Sequence, residues 1–272
     1  MQLVPVRLLA LFAHPRDASL LTGGTLARYA GAGCEVIAVS ATRGEAAPVL
    51  RGMAASDELG VIRTREFQAA GRILGVRDVV SLDYADGALA SLDPELLEDL
   101  FTDLIRAVEP EVVVTFGRDG LNGDSDHRAV HAAASGAFFT ARTLAGDGFS
   151  GPDKLYFALW PEPHAGRALR VLETGGVPTS AIPGVRGTIE SAAGVSTIID
   201  VRASLGRKLE AIRAHASQLD PAFDGIDPAL LADLWGQEFF ARGFPHPWIT
   251  GVIERDLLAG RASGAPVERQ AS

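Results

Sequence analysis

The chain has 272 residues, 47% of them hydrophobic and 22% charged, the balance of a globular protein with a substantial core. A formal charge of −9 gives no footprint for nucleic acid or an anionic membrane surface and leaves a small molecule as the expected partner. The lone cysteine, Cys34 in CEVIAVS, excludes an intramolecular disulfide and reads as a buried core thiol.

In chain order, MQLVPVRLLALFAHP is interrupted by Pro5 and Arg7 and reads as no secretory signal. No later run nears the roughly 18 apolar residues of a membrane span, so the cytoplasm is the expected compartment. Val6–Ala13 is an apolar run of the kind covered on both faces, followed by a helix over Leu20–Ala32 and a strand over Glu35–Ser40. The unit recurs with a helix over Asp57–Leu74, a strand over Val79–Leu82 and a helix over Pro94–Val108 capped by Asp93. Glu111–Phe116 (EVVVTF) predicts another buried strand, and His127–Leu144 the helix after it.

Lys154–Trp160 reads as a strand, and Pro161–Gly194, rich in Pro and Gly, as a long substrate-side excursion with a short helix at Ala168–Glu173. Thr197–Val201 reads as a strand, Arg202–Gln218 as a helix, and Pro228–Ala241 as a helix capped by Asp227. The tail from Gly260 to Ser272 is expected to be flexible. This alternation predicts one α/β domain over residues 1–272, with a Rossmann-like, mostly parallel sheet and helices on both faces.

In such a sheet, ligands sit beyond the carboxyl ends of the strands. Two loops there are chemically loaded: His14-Pro15-Arg16-Asp17 after the first strand, and Asn122-Gly123-Asp124-Ser125-Asp126-His127 after EVVVTF. Together they offer two imidazoles and three carboxylates, and two histidines with one carboxylate and an open position suit a catalytic zinc ion. Such a metal acidifies water enough to make a nucleophile at neutral pH.

These motifs resemble the PIG-L/LmbE-like family of zinc-dependent N-deacetylases. Its Ala-His-Pro-Asp-Asp-Glu motif corresponds to Ala13–Ala18, followed by Thr22-Gly23-Gly24-Thr25-Leu26-Ala27, and its His-Pro-Asp-His-Arg-Ala-Val-His motif to Asp124–His131. Thr42-Arg43-Gly44-Glu45, Arg63 to Glu66, Leu74-Gly75-Val76, Tyr84-Ala85-Asp86-Gly87 and Lys208 to His215-Ala216-Ser217-Gln218 also match, so the resemblance spans about residues 7–220. It implies removal of an N-acyl group from an amino sugar or glycosylated small molecule, with Zn2+ or another divalent metal on His14, Asp17 and His127. It also implies substrate contacts from Arg63 and Asp86, while Asn122 stands where some members place a mobile tyrosine.

The chain departs from the family where water is activated. Arg16 replaces the aspartate that serves as general base, Asp124 replaces the histidine that stabilises the oxyanion, and Ala18 replaces a glutamate. A guanidinium does not deprotonate in proteins, so Arg16 is no base. Two explanations stay open. In one, Asp124 acts as base while Arg16 donates to the oxyanion. In the other, Arg16 and Asp124 pair over the metal, and the protein runs a different metal-assisted step (cyclisation, elimination or isomerisation, as in secondary metabolism) or merely binds. Asp126 stands as a third candidate, holding His127 or Arg16 or serving as base itself. His131 is expected to support or pack rather than bind metal, and homo-oligomerisation stays open.

Overall fold

β1 (Arg7–Phe12) is RLLALF, buried from Leu8 onward, and lies third in a seven-stranded sheet. The computed structural model describes residues 5–48, 56–144, 146, 148–174, 176–179, 194–247 and 252–260, without the side chains of Ser56, Asp57, Asn122, Pro163 and Val171. β1 pairs in parallel with β2 (Glu35–Thr42) on one side and β4 (Val112–Phe116) on the other. β3 (Asp78–Tyr84) extends the sheet beyond β2, and β5 (Lys154–Leu159) extends it beyond β4, again in parallel. β6 (Thr197–Asp200) and β7 (Gln237–Phe244) complete the order β3-β2-β1-β4-β5-β7-β6, with β7 antiparallel to both neighbours.

The chain steps outward from β1 to β3 and then returns to β4, so the winding direction reverses between β1 and β4. This is the switch point at which an open parallel sheet leaves a crevice. Both strands are apolar along their length because helices cover both faces. α1 (Asp17–Gly31), α2 (Ser56–Leu74) and α7 (Leu205–Ala214) pack together, while α3 (Pro94–Val108) packs on α5 (Ser125–Thr143), which follows the single-turn α4 (Gly120–Gly123). Asp93 caps α3 as expected, accepting from the Glu95 N–H at 3.1 Å with Pro94 in the first turn.

Three expectations change beyond β5. α6 (Glu162–Thr174) is twice the helix expected at Ala168–Glu173, because Pro161 and Pro163 stand at its start, where a missing N–H costs nothing. The rest of the excursion between 180 and 193, and the tail beyond 260, lie outside the described residues. Arg202–Gln218 is not one helix: α7 is flanked by 3-10 turns at Arg202–Ser204 and Ala216–Gln218. α8 (Pro228–Trp235) ends at Gly236, and the segment expected to continue it is β7. Gln, Glu, Ala and Arg favour a helix there, but open hydrogen-bonding edges on β5 and β6 outweigh that weak propensity.

α1 carries the first loaded loop, and it is held through its glycines. The backbone N–H groups of Gly24 and Thr25 donate to the two carboxylate oxygens of Glu238 on β7, at 2.9 and 2.8 Å. Lys208 of α7 meets the same carboxylate at 2.6 Å, with both side chains almost fully buried. A Cβ on Gly24 would lie 2.6 Å from Val201. Gly24→Ala is therefore expected to destabilise the fold by about 1–3 kcal/mol through overpacking, despite alanine's better helix propensity. Urea unfolding monitored by circular dichroism checks this.

Candidate metal and catalytic site

The turn after β1 closes on itself. The His14 N–H donates to Asp17 Oδ2 at 2.8 Å, and the Asp17 N–H returns a bond to the His14 carbonyl at 3.1 Å. This brings the Asp17 carboxylate to 3.3 Å from His14 Nδ1. The second contributor arrives on the first turn of α5. Asp124 is its N-cap, with Oδ1 accepting from the N–H groups of Asp126 at 2.8 Å and His127 at 3.3 Å.

His127 is fixed on three sides. Its ring stacks on Phe116 at 4.0 Å between centroids, and its Nδ1–H donates to the Gly120 carbonyl at 2.9 Å. Gly120 has φ +67°, and a side chain there would crowd His127 Cβ and Arg128 at 3.0 Å. His127 Nε2 consequently faces the first turn, 3.1 Å from His14 Nδ1 and 3.5 Å from Asp17 Oδ2.

These separations of 3.1, 3.3 and 3.5 Å match the edges of a tetrahedron whose bonds are about 2.0–2.1 Å, which come to about 3.3 Å. The tautomers agree. His14 directs Nε2–H at Asp86 Oδ1, 2.9 Å away, and His127 directs Nδ1–H at Gly120, so both remaining lone pairs converge beside a carboxylate. Two ring lone pairs facing each other at this range repel unless a cation lies between them. His14, Asp17 and His127 therefore fit a divalent metal, and His14 also belongs to a second acidic group with Asp86 and Asp126.

Electrostatics point the same way. Burial works against charge on His14, yet the neighbouring carboxylates of Asp126, Asp17 and Asp86 hold its pKa well above the ordinary value. Burial also opposes charge on His127, where Asp17 reverses the outcome and raises it. Asp17 is held well below the carboxylate range because the two imidazoles outweigh its burial. Without metal the site draws protons onto the nitrogens a metal needs. Metal affinity is thus expected to strengthen as pH rises through these elevated pKa values, with up to two protons released per ion. Competition against a chromophoric chelator between pH 5.5 and 8.5 measures that slope.

The remaining carboxylates build the wall. Asp126 accepts from the N–H groups of Gly87 at 2.8 Å and Leu89 at 3.1 Å, one on each oxygen, tying the loop after β3 to α5. Asp86 takes the Ala46 N–H on Oδ2 at 2.9 Å, and its own N–H donates to Glu45 Oε1 at 2.9 Å. The loops after β1, β2, β3 and β4 thus meet over the switch point.

Arg16 turns to the Gln218 carbonyl, 2.5 Å from Nη1, so the pairing of Arg16 with Asp124 considered from the sequence is not what forms. Burial brings its pKa down to about 10, which leaves it charged at neutral pH. Arg63 is 3% exposed and donates to the Gly44 carbonyl. The Asn122 side chain lies outside the described residues. His131 donates its Nδ1–H to the Phe116 carbonyl at 2.9 Å and stays out of the metal group. Since a carbonyl only accepts, His131 Nδ1 carries the proton.

The sequence reading missed the Gly120 carbonyl that sets the His127 tautomer. It also missed the clamp formed by Glu66, which accepts from the Ser217 N–H and Oγ–H at 2.7 Å each. The clamp is long-range and leaves no local signal.

Comparison with known proteins identifies the family and the fold. The PIG-L family, described as GlcNAc-PI de-N-acetylase, matches residues 9–138. A 1D-myo-inositol 2-acetamido-2-deoxy-alpha-D-glucopyranoside deacetylase from Kineococcus radiotolerans is 34% identical over 95% of this chain and 84% of its own length. Among solved structures, the N,N'-diacetylchitobiose deacetylase of Pyrococcus horikoshii shares the fold with a TM-score of 0.62 at 20% identity, covering 87% of this chain and 83% of that one. The 4-carboxy-2-hydroxymuconate hydratase of Pseudomonas putida KT2440 shares it with a TM-score of 0.63 at 19% identity, covering 90% and 99%. Among the described residues no helix is long and apolar enough to cross a membrane. The chain belongs to the PIG-L family of N-deacetylases.

Proposed function

We propose that the protein is a metal-dependent hydrolase that removes the N-acetyl group from an amino sugar in a small glycoside, with the metal on His14, Asp17 and His127. The observation that carries this reading is the convergence of two fixed imidazole lone pairs and one carboxylate at tetrahedral spacing over the sheet's switch point. The relative from Kineococcus radiotolerans, named for an acetamido-glucopyranosyl inositol, supports the substrate class. A divalent metal there supplies Lewis-acid polarisation of the amide carbonyl and acidification of water. Zinc suits the donor set of two nitrogens and one oxygen.

The chain's own residues supply the rest. His14 and His127 are oriented by Asp86 and by the Gly120 carbonyl. Arg16, charged at neutral pH, takes no proton. Both oxygens of Asp126 serve the Gly87 and Leu89 amides, which makes that residue a support for the β3 loop. Asp124 receives both of its cap hydrogen bonds on Oδ1, and its charge is felt by His127. We assign it as the proton acceptor for the attacking water. Water adds to the acyl carbon, the C–N bond breaks, and the proton held on Asp124 passes to the departing amine, giving acetate and a free amino sugar.

Asp124→Asn isolates this role, because asparagine is as good an N-cap as aspartate but a poor base. Amine release from N-acetylglucosaminyl inositol, followed with an amine-reactive fluorophore, is expected to fall about 10²–10⁴-fold with metal content and unfolding midpoint unchanged. Undiminished turnover in Asp124→Asn would remove the assignment.

A further inference from the structure

The position where the related motif carries its aspartate holds a cation here, and the surroundings of that cation are built around it. Four segments close into a ring beside the metal turn. Arg16 Nη1 donates to the Gln218 carbonyl, and the Gln218 amide donates to the Pro48 carbonyl at 3.4 Å. Arg63 of α2 donates to the Gly44 carbonyl in the same loop after β2 that carries Pro48. Glu66, three residues further along α2, holds both the N–H and the hydroxyl of Ser217. Arg16 and Arg63 thus sit on the members of one ring, and each uses Nη1 on a backbone carbonyl.

Each guanidinium also has a buried Nε–H without an acceptor among the described residues. An unpaired donor on a buried cation costs about 1–3 kcal/mol, and a pair of them on adjacent cations marks a missing anionic acceptor. The neighbouring carboxylates have other tasks: Asp17 binds the two imidazoles and the turn, Glu66 binds Ser217, and Asp86 binds His14 and Ala46. Nearby, Glu45 Oε2 is a buried acceptor without a donor among the described residues, which suits a hydroxyl on the same ligand.

His215, fully buried against Ser19 at 3.1 Å, does not compete for the anion. Burial and the two arginines press its pKa to about 3, so it stays neutral.

We propose that Arg16 and Arg63 form an oxyanion-binding subsite beside the metal, so that the preferred substrate is an N-acylated sugar carrying a carboxylate or phosphate. This inference rests on the hydrolase reading for the word substrate, but the binding it predicts does not depend on turnover. Guanidinium forks recognise planar carboxylates and phosphate oxygens through paired N–H bonds, which Nε–H together with an η nitrogen provides.

The test is calorimetric titration of the zinc-loaded protein, and of the metal-stripped protein in parallel, with three probes: N-acetylmuramic acid, N-acetylglucosamine 6-phosphate and neutral N-acetylglucosamine. At least one anionic sugar is expected to bind about tenfold or more tightly than the neutral one in both forms of the protein. Which one wins tells a carboxylate ligand from a phosphate. The selectivity is expected to collapse to within about threefold in Arg16→Gln and to persist in part in Arg16→Lys, which keeps the charge and a donor for Gln218. Equal affinity for all three probes in the wild type would overturn the proposal, and so would undiminished selectivity in a folded Arg16→Gln. Selective binding of the anionic probes by a zinc-loaded protein that releases no amine from N-acetylglucosaminyl inositol would sink the hydrolase reading and leave the subsite standing.

Discussion

Asp17→Asn is expected to abolish stable metal retention and to lower amine release by about 10³-fold or more, with little change in fold. Asparagine keeps an oxygen to accept the His14 N–H at the start of α1, so the turn can still close. It loses the charge that holds both imidazoles in place and completes the ligand set. A metal acting as Lewis acid contributes several kcal/mol to the barrier, and each 1.36 kcal/mol is tenfold in rate. Asp126→Asn provides the graded contrast. Its carboxylate lies 3.7 Å from His14 Nε2 and mainly supports the β3 loop, so a fall of about 10–100-fold is expected there. Metal content by elemental analysis and turnover, measured on both variants, separate a ligand from its support.

Glu238→Leu is expected to be the most damaging single change to stability, by about 3–5 kcal/mol. It strips the partner from Lys208, an ammonium that is almost fully buried, and leaves the Gly24 and Thr25 amides of α1 without their carboxylate. Lys208→Met is milder, because Glu238 keeps those two backbone donors. Replacing both residues together with apolar ones is expected to cost less than the sum of the two changes, since neither charge is then left alone. Urea denaturation of the two single variants and the double variant measures the coupling.

Much of the site was legible in the sequence because its chemistry is local. His14 and Asp17 share one turn, Asp124 and His127 share one helix start, and the apolar runs before each of them announced parallel strands. The alternation of strands and helices predicted the mostly parallel sheet, while the switch point between β1 and β4 emerges only from the strand order. What stayed hidden is non-local. The identity of β7 depends on the open edges of β5 and β6, while its composition speaks for helix. The task of Asp126 depends on two amides in the Gly87–Leu89 segment, 37 and 39 residues away. The direction of Arg16 depends on a carbonyl 202 residues further along the chain. From the sequence, Arg16 showed only that a base was gone. The fold shows where its guanidinium went.

The most direct test is titration of the metal-stripped protein with zinc while amine release from N-acetylglucosaminyl inositol is followed. The account predicts no turnover at the start and a rise in proportion to metal added, with a plateau at a single equivalent per chain. Full turnover by the stripped protein, or a plateau that Asp17→Asn reaches equally well, would contradict it.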